Sequence, residues 1–239
     1  MSTEQNRHNF FHDISSALGR KDIPDHVTPQ DLSAGPQHKI MAGMSHDELV
    51  EAFKKECNNL AIKFRETDEN NLADTLMEVI REYGGGKVIY PLVEEITAFH
   101  IDKVFEQNEG QNGLHFTPWD SSKGSKYNIH NAEDANIGVT FPLMAIAETG
   151  TVMQPASSGS GRSVGLLPLT HIAVIRRSSI LPRMPQTMAE LSKRYHKDPK
   201  NFPSLIVHIS GPSSTVDIEL VRVVGVHGPI NVTYIILTD

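Results

Sequence analysis

The sequence predicts a three-layer α/β fold built on an open sheet. Short runs rich in β-branched residues, such as residues 137–141 and 205–209, alternate with segments of helical periodicity. These runs are nearly continuous in their apolarity, which is typical of strands buried on both faces of a sheet. They end in turns or bends rich in glycine and hydroxyl residues, where open α/β sheets usually place a ligand. The pattern therefore predicts both the fold class and the region in which a site should lie.

The N-terminal part, residues 1–44, is predicted to form a helix and an extended arm, followed by one α/β domain at residues 45–239. Apolar residues recur at three- and four-residue spacing over residues 5–18, and Gly19 is placed to end this helix. Residues 20–44 contain three prolines and few apolar anchors. Such a segment buries little apolar surface, so we expect it to be extended.

The first half of the α/β domain is predicted to contain three helices and one strand. Ser45 and Glu48 form a capping box that begins the first of these helices. The second covers residues 72–83 and ends at a run of three glycines. We expect the first strand at residues 87–90 and a further helix at residues 97–107.

Three later segments are predicted to form a surface excursion, one helix and a final pair of strands. Residues 108–128 are rich in Gly, Ser, Asn and Lys, so we expect them to lie on the surface. Residues 187–195 have the periodicity of a helix. Residues 221–226 and 231–237 are rich in β-branched residues and flank a turn at 227–229, which predicts two strands that pair with each other.

Charge and hydropathy exclude two classes of partner. The formal net charge is −7 at pH 7, and the chain contains no block of lysine or arginine. Sequence-independent nucleic-acid binding needs a basic surface, so nucleic acid is not expected as a partner. The N-terminus lacks the apolar core of a signal peptide, and no apolar run approaches the length that spans a bilayer. We therefore expect a cytoplasmic protein without membrane insertion.

Cys57 is the only cysteine of the chain. A single thiol excludes an intramolecular disulfide and a zinc site of the multi-cysteine kind. An iron–sulfur cluster usually needs four thiolates, so this chain cannot hold one alone. We expect no metal site and no cofactor on this chain. Cys57 itself lies on the apolar face of a predicted helix, where a small buried hydrophobe is expected.

Glu148 is the first candidate for a chemical role. It lies in the segment Ala-Ile-Ala-Glu-Thr-Gly-Thr at 145–151, which follows the predicted strand 137–141 and leads into another strand at 151–154. A carboxylate at such a bend can act as a general base or accept a hydrogen bond from a substrate hydroxyl. It can equally cap local backbone N–H groups, which is the commoner role of an acid beside a turn.

Arg162 and His171 are candidates in the next segment. Arg162 is the single cation of the loop Ser-Ser-Gly-Ser-Gly-Arg-Ser at 157–163, and a guanidinium in a flexible loop can close over a substrate carboxylate. The same pattern also fits a mobile surface loop with a solvated arginine. His171 opens an apolar run, so a buried structural histidine fits this pattern at least as well as a catalytic one.

The C-terminal block carries the densest set of candidate residues. The predicted strand 205–209 runs into a turn of glycine, proline and four hydroxyl residues, and two acids and a histidine follow it. Glycine permits close backbone approach, and hydroxyls add hydrogen-bonding groups. We therefore expect substrate binding by Ser210, Gly211, Ser213, Thr215, Asp217 and Glu219. Tight turns are also built from such residues without any ligand.

These motifs resemble the LUD domain of the lactate utilisation protein C family. The resemblance rests on Gly-x-Thr at 138–140, the glutamate motif at 145–151, the Gly-Arg and Leu-Pro-x-x-His elements between 161 and 171, and the block at 209–229. The family commonly has arginine where this chain has Ser214. The resemblance implies the fold shared by CoA transferases, ribose-phosphate isomerase and glucosamine-phosphate deaminase.

The resemblance also implies a function. It indicates one component of a system that oxidises L-lactate to pyruvate, with iron–sulfur clusters on partner proteins. A second hypothesis is a self-sufficient enzyme of the CoA-transferase or sugar-phosphate isomerase type, with Glu148 as nucleophile or base. A third is a non-catalytic scaffold whose N-terminal arm docks partners. The second hypothesis rests on fold analogy, and a shared fold does not by itself determine function.

We expect the candidate side chains to meet in one cleft, because α/β sheets collect the carboxyl ends of their strands along one edge. The set comprises Glu148, Arg162, Asp217, Glu219 and His227. In this picture Arg162 holds a substrate carboxylate, and His227 or Glu148 faces the hydroxyl carbon of a small 2-hydroxy acid. Asp217 and Glu219 either orient His227 or lie behind the residues that contact the substrate. The spacing of these residues matches no established metal-ligand pattern.

Overall fold

The structure is a computed structural model that describes residues 2–24, 26, 28, 35–216, 221 and 223–239. Its chain contacts divide it into two compact units, Met1–His38 and Lys39–Asp239. In the first unit, helix α1 (Thr3–Ala17) begins at Ser2, whose hydroxyl accepts a hydrogen bond from the Gln5 N–H. The predicted N-terminal helix is therefore present. Its large apolar side chains, Phe10, Phe11, Ile14 and Leu18, are exposed.

The second unit alternates helices and strands along the chain. Its helices are α2 (His46–Asn59), α3 (Leu72–Glu82), α4 (Glu94–Ala98), α5 (Ile101–Asn108), α6 (Gly124–Glu133), α7 (Ser163–Leu166) and α8 (Met184–Lys197). Its strands are β1 (Lys63–Asp68), β2 (Lys87–Tyr90), β3 (His115–Pro118), β4 (Ile137–Thr140), β5 (Met144–Ile146), β6 (Thr151–Pro155), β7 (Thr170–Arg176), β8 (Ile180–Leu181), β9 (Ile206–Ile209), β10 (Ser214–Thr215), β11 (Val223–Val224) and β12 (Asn231–Thr238).

Six parallel strands form the central sheet, in the order β1-β12-β7-β4-β2-β3. The longest strand, β12, lies between β1 and β7, and its residue Tyr234 is level with Phe64 on one side and Ala173 on the other. Alternate residues of the central strands face opposite layers. Ile172 and Ile235, for example, pack against α3 and α5, whereas Ala173 and Tyr234 pack against α2.

A second sheet of four strands, in the order β8-β5-β6-β9, covers part of the face that also carries α2. Its inner face contributes Ala145 and Val152 to the core shared with the central sheet. Its outer face carries Met144 and Met153, which pack against Leu191 of α8. Strands β10 and β11 form a separate two-stranded sheet. The predicted three-layer α/β class is therefore confirmed, with a mostly antiparallel sheet added to it.

Several of the predicted helices and loops differ from those in the structure. The predicted helix 97–107 is two helices, because His100 adopts a left-handed conformation with φ of 54° between α4 and α5. The predicted surface excursion contains β3, an edge strand of the central sheet, and the first half of α6. Strand β1 was not predicted, because its sequence Lys-Phe-Arg-Glu-Thr-Asp is that of a polar edge strand.

The C-terminal strands also differ from expectation. Strand β9 is an edge strand of the second sheet and is only partly buried, so it does not lie in the middle of a parallel sheet. Strand β11 pairs with β10, whereas β12 joins the central sheet. The two segments therefore do not pair with each other. Apolar content alone does not distinguish a buried parallel strand from a half-exposed antiparallel one.

Within the described ranges, no helix is both long enough and apolar enough to cross a bilayer.

Candidate functional site

The connections of the central sheet reverse direction between β2 and β4. From β2 the chain proceeds outward to β3, and from β4 it proceeds the other way to β7 and then β12. Because β2 and β4 are neighbours, a crevice opens beyond their carboxyl ends. Ligands of open α/β sheets bind at such a topological switch point.

A cleft of about 360 Å³ lies at this carboxyl edge. It is bounded by Phe141 after β4, by Arg176 and Ser178 at the end of β7, and by Leu237 near the end of β12. Glu95 of α4 and Arg194 of α8 complete two of its walls. The cleft therefore combines apolar surface with two guanidinium groups, which is the composition of a site for a small organic anion.

Arg176 extends from the last position of β7 and lies over the ring of Phe99, with 5.3 Å from its Cζ to the ring centroid. Its Nη1 lies 3.5 Å from the Glu69 carboxylate and 3.9 Å from that of Asp239. Both distances exceed the roughly 2.8 Å of a tight arginine–carboxylate hydrogen bond. The guanidinium therefore keeps N–H groups that can donate to a ligand in the cleft.

Ser178 orders the turn that follows Arg176. Its backbone N–H donates a 2.9 Å hydrogen bond to the carboxylate of Asp239, and its hydroxyl donates to the same group. Burial opposes ionisation of this carboxyl, yet the bonds from Ser178 and the nearby charge of Arg176 lower the pKa of Asp239. An ionised Asp239 thus holds the turn that carries Ser178 and Ser179 into the cleft.

Arg194 approaches the cleft from α8. Its Nε lies 3.3 Å from the carboxylate of Glu190 one helical turn earlier. Arg176 and Arg194 come from different elements, so the cleft presents two separate cations to one ligand. The sequence contained a signal for the first of them, because Arg-Arg-Ser-Ser at 176–179 directly follows the β-branched strand 172–175. Arg194 lies in the last turn of α8 among surface charges and gave no such signal.

Glu148, in contrast, pairs with an arginine outside the cleft lining. Its Oε1 lies 2.7 Å from Nε of Arg183, the residue that caps α8. The backbone N–H of Glu148 donates to the carbonyl of Pro182. The glutamate therefore joins the turn after β5 to the start of α8. Its predicted role as nucleophile or base stays a prediction.

Arg162 precedes α7 and is exposed, and no described side chain forms an ion pair with it. The loop before it is packed at the carboxyl ends of β2 and β3. A Cβ at Gly159 would lie 2.0 Å from the carbonyl oxygen of Leu92, and one at Gly161 would lie 2.1 Å from the Trp119 ring. The glycines here serve close packing, in contrast to the mobile loop considered from the sequence. Binding of a carboxylate by Arg162 stays a prediction.

The turn after β9 lies at the opposite, amino-terminal edge of the central sheet. Gly211 has φ of +77°, and a Cβ there would lie 3.2 Å from Ile62, the residue before β1. The Ser213 N–H donates to the carbonyl of Pro229, shortly before β12. The expectation that this turn lies at the carboxyl edge of a parallel sheet is therefore wrong, since β9 belongs to the antiparallel sheet.

The other candidate residues of the C-terminal block that the structure describes lie in different places. The hydroxyls of Ser210 and Thr151 lie 2.7 Å apart, and Thr215 lies in β10. His227 is exposed in the turn before β12, at the amino-terminal edge. Asp217 and Glu219 lie outside the described residues. Convergence of Glu148, Arg162 and His227 with these two acids in one cleft therefore stays a prediction.

His171 is fully buried beneath α7. Its Nε2 shares a 2.7 Å hydrogen bond with the hydroxyl of Thr140, which joins the histidine and threonine of two sequence motifs. Burial lowers the pKa of His171 to about 4, so the ring is neutral at neutral pH. Gly138 allows this packing, because a Cβ there would lie 1.8 Å from the carbonyl oxygen of Val164. The structure therefore supports the structural role for His171.

Cys57 is buried between α2 and the central sheet, and burial raises the pKa of its thiol to about 12. Among the described residues, no group of three or more His, Cys, Asp or Glu side chains is arranged to hold a metal ion.

Comparison with known proteins identifies the family. The family model of the LUD domain matches residues 50–237. "Lactate utilization protein C" of Macrococcus caseolyticus is 40% identical over 237 residues, covering 99% of this chain and 98% of the relative. The protein of the same name from Bacillus subtilis is 38% identical over the same coverage.

A solved structure shows the same fold. The crystal structure of a DUF162 family protein from Deinococcus radiodurans matches with a TM-score of 0.56 and 18% identity, covering 81% of this chain and 99% of that one. At this identity the likeness shows the fold alone. The family model and the full-length relatives agree with the resemblance seen in the motifs. The chain therefore belongs to the LUD domain family and, within it, to the lactate utilization protein C family.

Proposed function

We propose that this protein is a component of an L-lactate utilisation system that oxidises L-lactate to pyruvate together with iron–sulfur partner proteins. The observation that carries the proposal is the match over 99% of the chain to relatives named Lactate utilization protein C. The match also covers 98% of each relative, so the similarity extends well beyond a shared domain core.

The assignment of the redox centres to partners follows from the thiol chemistry of this chain. Oxidation of a 2-hydroxy acid to a 2-oxo acid releases two electrons, which must pass to an acceptor. Cys57 is the only cysteine, and it is buried and protonated. Iron–sulfur clusters are usually held by four thiolates, so any clusters of the system belong on other polypeptides.

In this proposal the cleft at the carboxyl edge binds the carboxylate of the small 2-hydroxy or 2-oxo acid. Arg176 and Arg194 supply N–H donors for it, and a guanidinium matches a carboxylate in geometry as well as charge. Phe99 and Leu237 supply apolar surface for the methyl group. The self-sufficient transferase alternative gains no support from the cleft, because Glu148 does not line it.

Growth tests the proposal. A strain from which this gene is deleted should fail to grow on L-lactate as the carbon source, should grow normally on pyruvate, and should recover on complementation with the wild-type gene. Normal growth of the deletion strain on L-lactate would contradict the proposal.

Complementation of the deletion strain with a gene lacking residues 1–44 tests the scaffold alternative. In that alternative the N-terminal arm docks the partners, so its removal abolishes growth on L-lactate.

A further inference from the structure

The second half of α8 and the loop after it form a cationic surface on an acidic protein. The cations are Lys193, Arg194, Lys197 and Lys200, and the acids in the same region are Glu190 and Asp198. The chain as a whole carries a net charge of −7. Positive charge is therefore concentrated on this surface, although the chain as a whole is negatively charged.

Most of this charge is available to a partner. The side chain of Lys193 is 77% exposed and 3.6 Å from Glu190, which also pairs with Arg194. Lys197 and Lys200 are exposed, and neither forms an ion pair with a described residue. The helix dipole favours cations in the last turn of α8, which accounts for Lys197. It does not account for Lys193, which precedes that turn, or for Lys200, which follows the helix.

The cations border a groove that continues from the cleft. Three adjoining cavities of about 460, 330 and 520 Å³ run along α8 to the loop 200–204, and each is lined by at least one of the cations. The first shares Ser178, Ser179 and Arg194 with the cleft. The groove floor is partly apolar, formed by Leu143 and Phe202 among others. Such a groove is much longer than a three-carbon acid requires.

An exposed tyrosine beside the groove also suits a protein partner. Tyr195 of α8 is 48% exposed, and its ring packs edge-to-face against Phe202, which lines the groove. Tyrosine and arginine are among the residue types enriched at protein–protein interfaces. A surface that combines these residues with solvent-exposed lysines is matched in charge by an acidic polypeptide surface.

We propose that this groove, defined by Lys193, Lys197 and Lys200, is the docking surface for an acidic face of the iron–sulfur partner protein. The inference rests on the proposed function and adds to it the place and charge of the contact. The negative net charge of this chain repels an acidic partner, whereas the lysines of the groove attract it. The electric field of the protein therefore orients the partner as it approaches. Docking here places the partner at the open end of the cleft in which we propose the substrate binds.

Binding of the purified iron–sulfur proteins of the same organism's lactate utilisation system tests the inference. The full-length chain, a Lys193→Glu/Lys197→Glu/Lys200→Glu variant and a Lys55→Glu/Lys103→Glu/Lys126→Glu control are compared by surface plasmon resonance at low and high salt. All six lysines are exposed, and the two variants change the net charge equally. Circular dichroism and the melting temperature check that both variants are folded.

We expect wild-type binding that weakens with salt, association about tenfold to a hundredfold slower for the groove variant, and a much smaller change for the control. Equal binding by the groove variant and the control would overturn the docking surface and leave the proposed function standing. No binding by the folded wild-type chain would overturn both the inference and the assignment of these proteins as partners.

Discussion

His171 and Thr140 share a 2.7 Å hydrogen bond on adjacent parallel strands, and neither side chain reaches solvent. The imidazole Nδ1 is buried without a partner among the described residues. A neutral ring tolerates this position better than a charged one, because a buried charge without a counter-ion is costly. The pair therefore links stability to pH.

Acidification should destabilise the protein through His171. Its pKa falls from 6.5 to about 4 on folding, so the unfolded chain binds the extra proton between these values and stability rises with pH across that window. Between pH 6.5 and pH 5 the wild type should lose about 2 kcal/mol of unfolding free energy through this group. Urea unfolding of wild type and His171→Asn measures the difference in slope. An exposed-site control, His130→Asn, should keep the wild-type slope; identical slopes for all three proteins would contradict the prediction.

Gly211→Val should destabilise the protein by about 2–4 kcal/mol, because its left-handed φ is unfavourable for valine and the new side chain meets Ile62. Gly110→Val is the matched control, since Gly110 also has a left-handed φ but no atom lies within 4 Å of the position that a Cβ would take there. The difference between the two variants in chemical denaturation reports the packing at Ile62. Equal losses would show that the turn has no special packing role.

Arg176→Gln should weaken binding of L-lactate or pyruvate by about tenfold or more, because a charge-assisted hydrogen bond is worth about 1.5–3 kcal/mol. Isothermal titration calorimetry measures the affinity. Arg177→Gln is the adjacent control, since Arg177 pairs with Asp47 and does not line the cleft. Similar losses in both variants would mean that the effect is one of general charge and that the cleft is not the carboxylate site.

Glu148→Gln should support growth on L-lactate, because glutamine keeps an acceptor for Arg183 and the pair joins β5 to α8. Glu148→Ala removes the acceptor and should lower the unfolding free energy by about 1 kcal/mol, since the carboxylate is partly exposed. A stable Glu148→Gln protein that fails to support growth would instead assign chemistry to the carboxylate and favour the transferase-like hypothesis.

The isolated protein should contain no iron or acid-labile sulfide and show no visible absorption band, because it has one thiol and that thiol is buried. Metal analysis of the chain purified without its partners measures this directly. Stoichiometric iron and sulfide in the isolated monomer would contradict the placement of the clusters on other polypeptides.

The sequence predicted the fold class and many of the helices and strands, because long amphipathic helices and β-branched strands have clear periods. It failed at β1 and β3, whose polar edge positions lack an apolar signature. The cleft was missed for a different reason. The rule that ligands bind at carboxyl ends was applied to β9, but sheet membership is set by tertiary pairing, and β9 pairs with β6. Applied to β7, the same rule leads to Arg176.

The position of β12 has a consequence for synthesis of the chain. β12 follows the other described strands in chain order but lies between β1 and β7 in the sheet. Lys63 of β1 can therefore pair with Thr233 of β12 only after Thr233 has been synthesised. Until then β1 has no neighbour, and one edge of β7 is open. Nascent chains therefore expose unpaired strand edges until β12 has been made, and chaperones protect such surfaces during synthesis. Emergence of β12 from the ribosome lets it pair with both β1 and β7.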